Sequence, residues 1–232
     1  MSDESKEGLA PQVKICGLTR VDEALACAES GVHAIGCVFY PKSPRCVSTA
    51  LARELRRALP SRVTVVGVFV NEPFSKIMRT VEEGGLDMVQ LHGAEPPELV
   101  ERIRAQGVGV VKAFYANGEP SLEALPSYGN CSCLVEWKGG KLPGGNALAW
   151  DWSVVKGVSR ERPLVLAGGL TPENVARAVA EAQPDAVDAS SGVESSPGRK
   201  DPEKVRLFLS AVRRTVSSPA PGKVFDREPR EG

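Results

Sequence analysis

RPLVLAGGLTPENVARAVAEAQPDAVDASSGVES (162–195) decides the fold. RPLVLA (162–167) is a branched apolar run that ends in two glycines, as a buried strand does. Thr171-Pro172-Glu173-Asn174 then offers an N-cap threonine with proline at the first helical position, and helical spacing continues over 172–181. DAVDA (185–189) is a second buried strand, and it too runs into a glycine-containing loop. Strand, glycine turn, helix and strand in that order make one βα repeat and the start of the next.

The same alternation extends back to residue 12. Strands are expected at 12–16 (QVKIC), 33–39 (HAIGCVF), 63–70 (VTVVGVFV), 87–91 (DMVQL), 108–114 (VGVVKAF), 131–137 (CSCLVEW), 162–167 and 185–189. Helical spacing falls between them at 21–30, 50–59, 75–83, 97–105, 172–181 and 201–213, with weaker signals near 119–126 and 151–157. Lys200-Asp201-Pro202-Glu203 repeats the cap-and-proline device. Eight βα repeats of roughly 20–30 residues predict an α/β chain folded as a single (β/α)8 TIM barrel, because a doubly wound open sheet usually has fewer strands. Residues 1–11 and 217–232 are polar, rich in proline and glycine and without periodicity, so they read as disordered tails around a barrel domain at 12–216.

Lys+Arg and Asp+Glu are equal at 29 each, and no basic stripe points to nucleic acid or an anionic membrane. A small neutral or anionic metabolite is the expected partner. No apolar run approaches the roughly 18–20 residues of a membrane span, and the start lacks an apolar signal core, which together suggest the cytoplasm. The six cysteines (16, 27, 37, 46, 131 and 133) are then expected to be reduced. None is paired with a second Cys or His at zinc-site spacing, and His33 and His92 are the only histidines, so no metal site is expected.

A barrel of this type works at the C-terminal ends of its strands, and phosphate often binds in the loops after strands seven and eight. Gly168 and Gly169 occupy the first of those loops and Ser190, Ser191 and Gly192 the second, where backbone N–H groups and hydroxyls can reach phosphate oxygens. Cys16 ends the first strand, on the same face as Lys14, a cation that would favour its thiolate. Arg45 lies in a loop stiffened by two prolines and suits a carboxylate. Glu136, at the end of strand six, can serve as a proton donor. Asp188, at the end of strand eight, can hold a substrate hydroxyl or cap its loop, and His92 in QLHG (90–93) can line the site or be a loop residue.

KICGLT (14–19), FYPKSPR (39–45), VGVFV (66–70), VQLHG (89–93), LAGGLTPENV (166–175) and VDASSGVESSPGRKD (187–201) together resemble the phosphoribosylanthranilate isomerase family of tryptophan biosynthesis. The likeness runs from about Val13 to Phe208. It implies a cofactor-free Amadori rearrangement of N-(5′-phosphoribosyl)anthranilate to 1-(2-carboxyphenylamino)-1-deoxyribulose 5-phosphate, in a monomer or homodimer. It also implies phosphate at Gly168–Gly169 and Ser190–Gly192, the anthranilate carboxylate at Arg45, substrate hydroxyls at Asp188, and Cys16 as the base at C2′.

The family usually has an aspartate as acid at the end of strand six, followed by a Gly-Gly-Thr-Gly loop. Here LVEWKGGKLPGGNALAWDW (134–152) places Glu136 in that position and Gly144-Gly145-Asn146-Ala147 in the loop. Asp151 is a rival acid, although Asp-Trp-Ser reads more simply as a helix cap. A related isomerase of the histidine pathway would be expected to use paired aspartates, and Cys16 argues against it. The altered loop suggests the other alternative, a barrel that only binds a phosphorylated ligand.

Overall fold

Strands that are apolar on both faces need cover on both sides, and parallel strands obtain it by closing into a barrel ringed with helices. The computed structural model describes residues 10–129, 131–139, 150–156, 158, 161–216 and 222–226. Eight strands, β1 (Gln12–Cys16), β2 (Ala34–Val38), β3 (Thr64–Phe69), β4 (Met88–Leu91), β5 (Gly109–Tyr115), β6 (Ser132–Glu136), β7 (Leu164–Leu166) and β8 (Ala186–Ala189), form a closed barrel in chain order. Each pairs in parallel with its successor, and β8 returns to β1 with Lys14 opposite Asp188. Every strand expected from the sequence is present, with its bounds within two residues.

Six α-helices pack outside: α1 (Val21–Ser30), α2 (Thr49–Ala58), α3 (Phe74–Gly84), α4 (Pro97–Arg104), α5 (Val175–Ala182) and α6 (Pro202–Arg213). Asp201 caps α6 as expected, accepting from the N–H groups of Glu203 and Lys204. α5 starts later than the sequence suggests. Residues 172–174 form a turn, because Asn174 Oδ1 accepts from Thr171 N–H and Nδ2 donates to Gly169 C=O. The two weak helices are corrected to 3-10 turns, at Leu122–Tyr128 and Trp152–Val155. Pro126 inside the first removes an N–H that an α-helix would need.

Inward residues are small or slender, among them Ala34, Val66, Val111, Ala113, Val165 and Ala186, since an eight-stranded barrel leaves little room at its axis. Larger side chains such as Phe69, Phe114 and Leu164 face outward, in the layer shared with the helices. After β8 a short hairpin, β9 (Glu194–Ser196) with β10 (Arg199–Lys200), turns the chain back toward the barrel mouth.

The expected tail at 217–232 needs one correction. Residues 1–9, 217–221 and 227–232 lie outside the described residues, but Gly222–Asp226 is packed beneath the barrel. Val224 and Phe225 are buried with the inward cluster. Their N–H groups both donate to Gln12 Oε1, at 2.7 and 2.9 Å, and Thr64 Oγ1 donates to Phe225 C=O. Gln12 and Thr64 begin their strands, so the segment covers the end of the barrel at which the strands start. Two apolar residues among prolines and charges give no periodic signal, which is why this stretch reads as a tail. Phe225→Ala is expected to lower stability by roughly 3–5 kcal/mol in denaturant unfolding, with kcat unchanged in a steady-state assay.

Candidate active site

Alternation along the strands carries chemistry to one place. All ten residues singled out from the sequence line a single pocket at the C-terminal end of the barrel: Cys16, Arg45, His92, Glu136, Asp188, the Gly168–Gly169 pair, and Ser190, Ser191 and Gly192. Val38, Val68, Val70 and Leu170 supply an apolar wall. No cluster of three or more His, Cys, Asp or Glu able to hold a metal ion occurs among the described residues.

Cys16 stands opposite Gly36 in the β1–β2 register. A Cβ on Gly36 would lie 2.7 Å from Cys16 Sγ, so this glycine makes room for the sulfur. Burial pushes the thiol above its ordinary pKa, although Lys14 and Lys200 pull it down. The expected effect of Lys14 on Cys16 is therefore present but outweighed, and part of its charge is taken by Asp188. Lys14 Nζ lies 2.7 Å from Asp188 Oδ2, and both side chains are buried. Burial works against the Lys14 ammonium too, but Asp188 and Cys16 together outweigh it and raise the group above its ordinary range. Asp188 Oδ1 is buried with no hydrogen-bond partner among the described residues, and Asp188 lines the pocket. A ligand hydroxyl would satisfy it. By contrast Cys27, Cys37 and Cys133 lie outside the pocket, and burial pushes each to about 12.

Across the pocket from this pair, Glu136 ends β6, opposite Tyr115 in the register. Its Oε1 lies 3.1 Å from His92 Nε2, and His92 Nδ1 lies 2.9 Å from Gln90 Nε2. Tyr115 Oη donates to the His92 C=O at 3.2 Å, fixing the loop that carries the ring. Asp151, the rival carboxylate, is exposed and outside the pocket. It accepts from Ser153 N–H and Oγ, and so caps the turn that follows. The glycine-rich segment 140–149 lies outside the described residues.

Arg45 reaches the pocket already paired. Its Nε and Nη2 donate to Glu194 at 2.8 and 2.7 Å, and Lys200 Nζ donates to the same carboxylate at 2.7 Å. Burial alone would raise the Glu194 carboxyl, but Arg45 and Lys200 together hold it below its ordinary range. Fixed in this way the guanidinium keeps one orientation and leaves Nη1 for a ligand. Gly168 and Gly169 have φ of 83° and 69°, in the left-handed region. At Gly192 a Cβ would fall 1.9 Å from Leu170 O, so the loops after β7 and β8 meet at a point only glycine allows. Lys200 Nζ also donates to Ser190 C=O at 3.1 Å, bringing a cation to the base of the second loop.

Gln90, Glu194 and Lys200, the polar groups that hold His92 and Arg45 in place, were not singled out from the sequence. Gln90 had a legible signal, because period-two alternation puts it on the face of His92. Glu194 and Lys200 had none, since Glu194 joins the site by pairing with Arg45, 149 positions away, and Lys200 by donating to Glu194.

Residues 13–211 match the family of N-(5′-phosphoribosyl)anthranilate (PRA) isomerases. An N-(5′-phosphoribosyl)anthranilate isomerase of Desulfatibacillum aliphaticivorans is 51% identical over 214 residues, covering 92% of this chain and 98% of the relative. The crystal structure of phosphoribosyl anthranilate isomerase from Thermotoga maritima superposes with a TM-score of 0.81 at 42% identity, covering 88% of this chain and 98% of that one. A phosphoribosyl anthranilate isomerase solved in complex with reduced 1-(o-carboxyphenylamino)-1-deoxyribulose 5-phosphate gives 0.78 at 41% identity over the same shares. With a closed eight-stranded barrel and a match over nearly all of its described residues, this chain belongs to the PRA isomerase family of enzymes.

Proposed function

We propose that the chain catalyses the Amadori rearrangement of N-(5′-phosphoribosyl)anthranilate in tryptophan biosynthesis, with Glu136 as general acid and Cys16 as general base. The observation that carries this reading is a buried carboxyl group and a buried thiol at the ends of β6 and β1, facing one pocket beside paired glycine loops. The phosphate would sit in those loops, the anthranilate ring against Val38, Val68 and Val70, its carboxylate on Arg45 Nη1, and the sugar hydroxyls on Asp188 Oδ1.

Glu136 gives its proton to the ribose ring oxygen as the bond from C1′ to that oxygen breaks. The anthranilate nitrogen supplies the electron pair, leaving a protonated Schiff base. The Cys16 thiolate then removes the proton at C2′, the freed pair forms the C1′–C2′ double bond, and the nitrogen recovers its own pair. The enol-amine tautomerises to the ketone. General acid and base steps of this kind are each worth about 10²–10⁴-fold.

Burial holds the Cys16 thiol above its ordinary pKa, so the reaction itself must supply what favours the thiolate. The cationic Schiff base does so, because a positive charge beside the sulfur stabilises its anion. A raised thiol pKa means that the reactive form appears only at higher pH. Alkylation of Cys16 by iodoacetamide, followed by peptide mass spectrometry, is therefore expected to rise with pH through a midpoint above that of a free thiol. A midpoint at or below the free-thiol value would contradict this environment.

The direct test is conversion of substrate made in situ from anthranilate and phosphoribosyl pyrophosphate. Purified protein that binds the reduced product analogue but leaves the substrate unchanged would replace this reading with a barrel that only binds.

A further inference from the structure

Gln90 is 1% exposed and, like His92, lines the pocket. A buried amide is costly unless it is hydrogen-bonded. The amide's hydrogen-bond partner among the described residues is His92 Nδ1, at 2.9 Å, while Gln90 Oε1 has none. An amide nitrogen donates and cannot accept, so Nδ1 must present its lone pair. The proton of a neutral ring is then on Nε2, which lies 3.1 Å from Glu136 Oε1. The opposite amide orientation would put the proton on Nδ1 and turn Nε2 into an acceptor facing Glu136.

The consequence falls on the two oxygens of the acid. With Nε2–H donating to Oε1, a protonated Glu136 carries its own proton on Oε2, the oxygen free to face a substrate. Once that proton has left, the same Nε2–H bond becomes charge-assisted and stabilises the carboxylate. With the opposite tautomer, Nε2 would instead accept the carboxylic proton and hold it away from the substrate.

We propose that Gln90 is a positioning residue that locks His92 as the neutral Nε2–H tautomer, thereby directing the transferable proton of Glu136 to Oε2. This rests on Glu136 being the general acid.

Nitrogen-15 NMR of the imidazole rings in the full chain tests it directly, because the protein has only two histidines. His33 Nδ1 accepts from Val13 N–H, and a His33→Gln variant identifies the remaining ring. The expected spectrum has His92 protonated at Nε2 and bare at Nδ1; protonation at Nδ1 would overturn the proposal.

Gln90→Met removes the donor at similar length. It is expected to give a mixture of tautomers and a kcat about tenfold lower, a part of what general acid catalysis supplies, with little change in KM. An unchanged kcat, or a loss of kcat with the tautomer still fixed, would overturn it. Gln90→Glu keeps size and shape and, assayed at a pH where it is ionised, offers only acceptors, so it favours Nδ1–H and is expected to be worse than the methionine variant. A merely structural role predicts the reverse order, and that result would also count against the proposal. Failure of the acid assignment is distinguishable, because full activity in Glu136→Ala would remove that assignment while leaving the His92 tautomer as observed.

Discussion

Cys16→Ala is expected to lose about 10²–10⁴-fold in kcat while still binding the reduced product analogue, and Glu136→Ala to do the same. Cys16→Ser should lose most turnover too, since a hydroxyl is a far weaker acid than a thiol and yields little anion. Analogue binding measured by calorimetry separates loss of chemistry from loss of the site. The Glu136 variants also address the side-chain length at this position. Glu136→Asp pulls the carboxyl group back by one methylene, and a misplacement of about 1 Å can cost about 10²-fold. A site built around glutamate should therefore be damaged by the shorter aspartate. Asp151→Asn is expected to be nearly silent, because that carboxylate caps an exposed turn outside the pocket. Wild-type activity in Glu136→Ala, or strong loss in Asp151→Asn, would move the acid role.

Lys14→Met is expected to be the most destabilising single change at the site. Lys14 and Asp188 are neighbours in the β1–β8 register, are buried, and are 2.7 Å apart. Removing one member of such a pair leaves an uncompensated buried charge, at a cost of about 3–5 kcal/mol. In a chain of this length that corresponds to a drop in Tm on the order of 10 °C. Replacing both members should recover much of the loss, because Lys14→Met with Asp188→Leu exchanges the pair for apolar packing. The double variant should nevertheless be inactive, having lost Asp188. A Lys14→Met protein as stable as wild type would show that the pair contributes nothing to the fold.

The strands were legible because burial on both faces demands branched apolar runs, and glycine or a helix cap punctuates each one. The fifth and sixth outer segments were less so, because Pro126 and a four-residue turn leave no helical period to read. In the site, local signals sufficed for single residues at strand ends: Cys16, Glu136 and Asp188 each follow an apolar run. Pairings across the barrel were not legible. Nothing near Arg45 announces Glu194, which restrains the guanidinium the sequence suggested was free for a ligand. The balance of charge around Cys16 was likewise hidden, because Lys14 is shared with Asp188 and burial outweighs it. Spacing along a chain can place a cation near a thiol, but only the folded barrel sets how much water is excluded from both.

Val224 and Phe225 finish what β8 begins. The ring of strands is complete once β8 meets β1, yet the axial residues at its lower end, Ala34 and Ala186 among them, gain their last cover only from residues about 40 positions further along. The lower opening therefore takes its last apolar cover from a segment that belongs to no strand of the ring, so losing Val224 and Phe225 would wet the axis without breaking a single strand pairing.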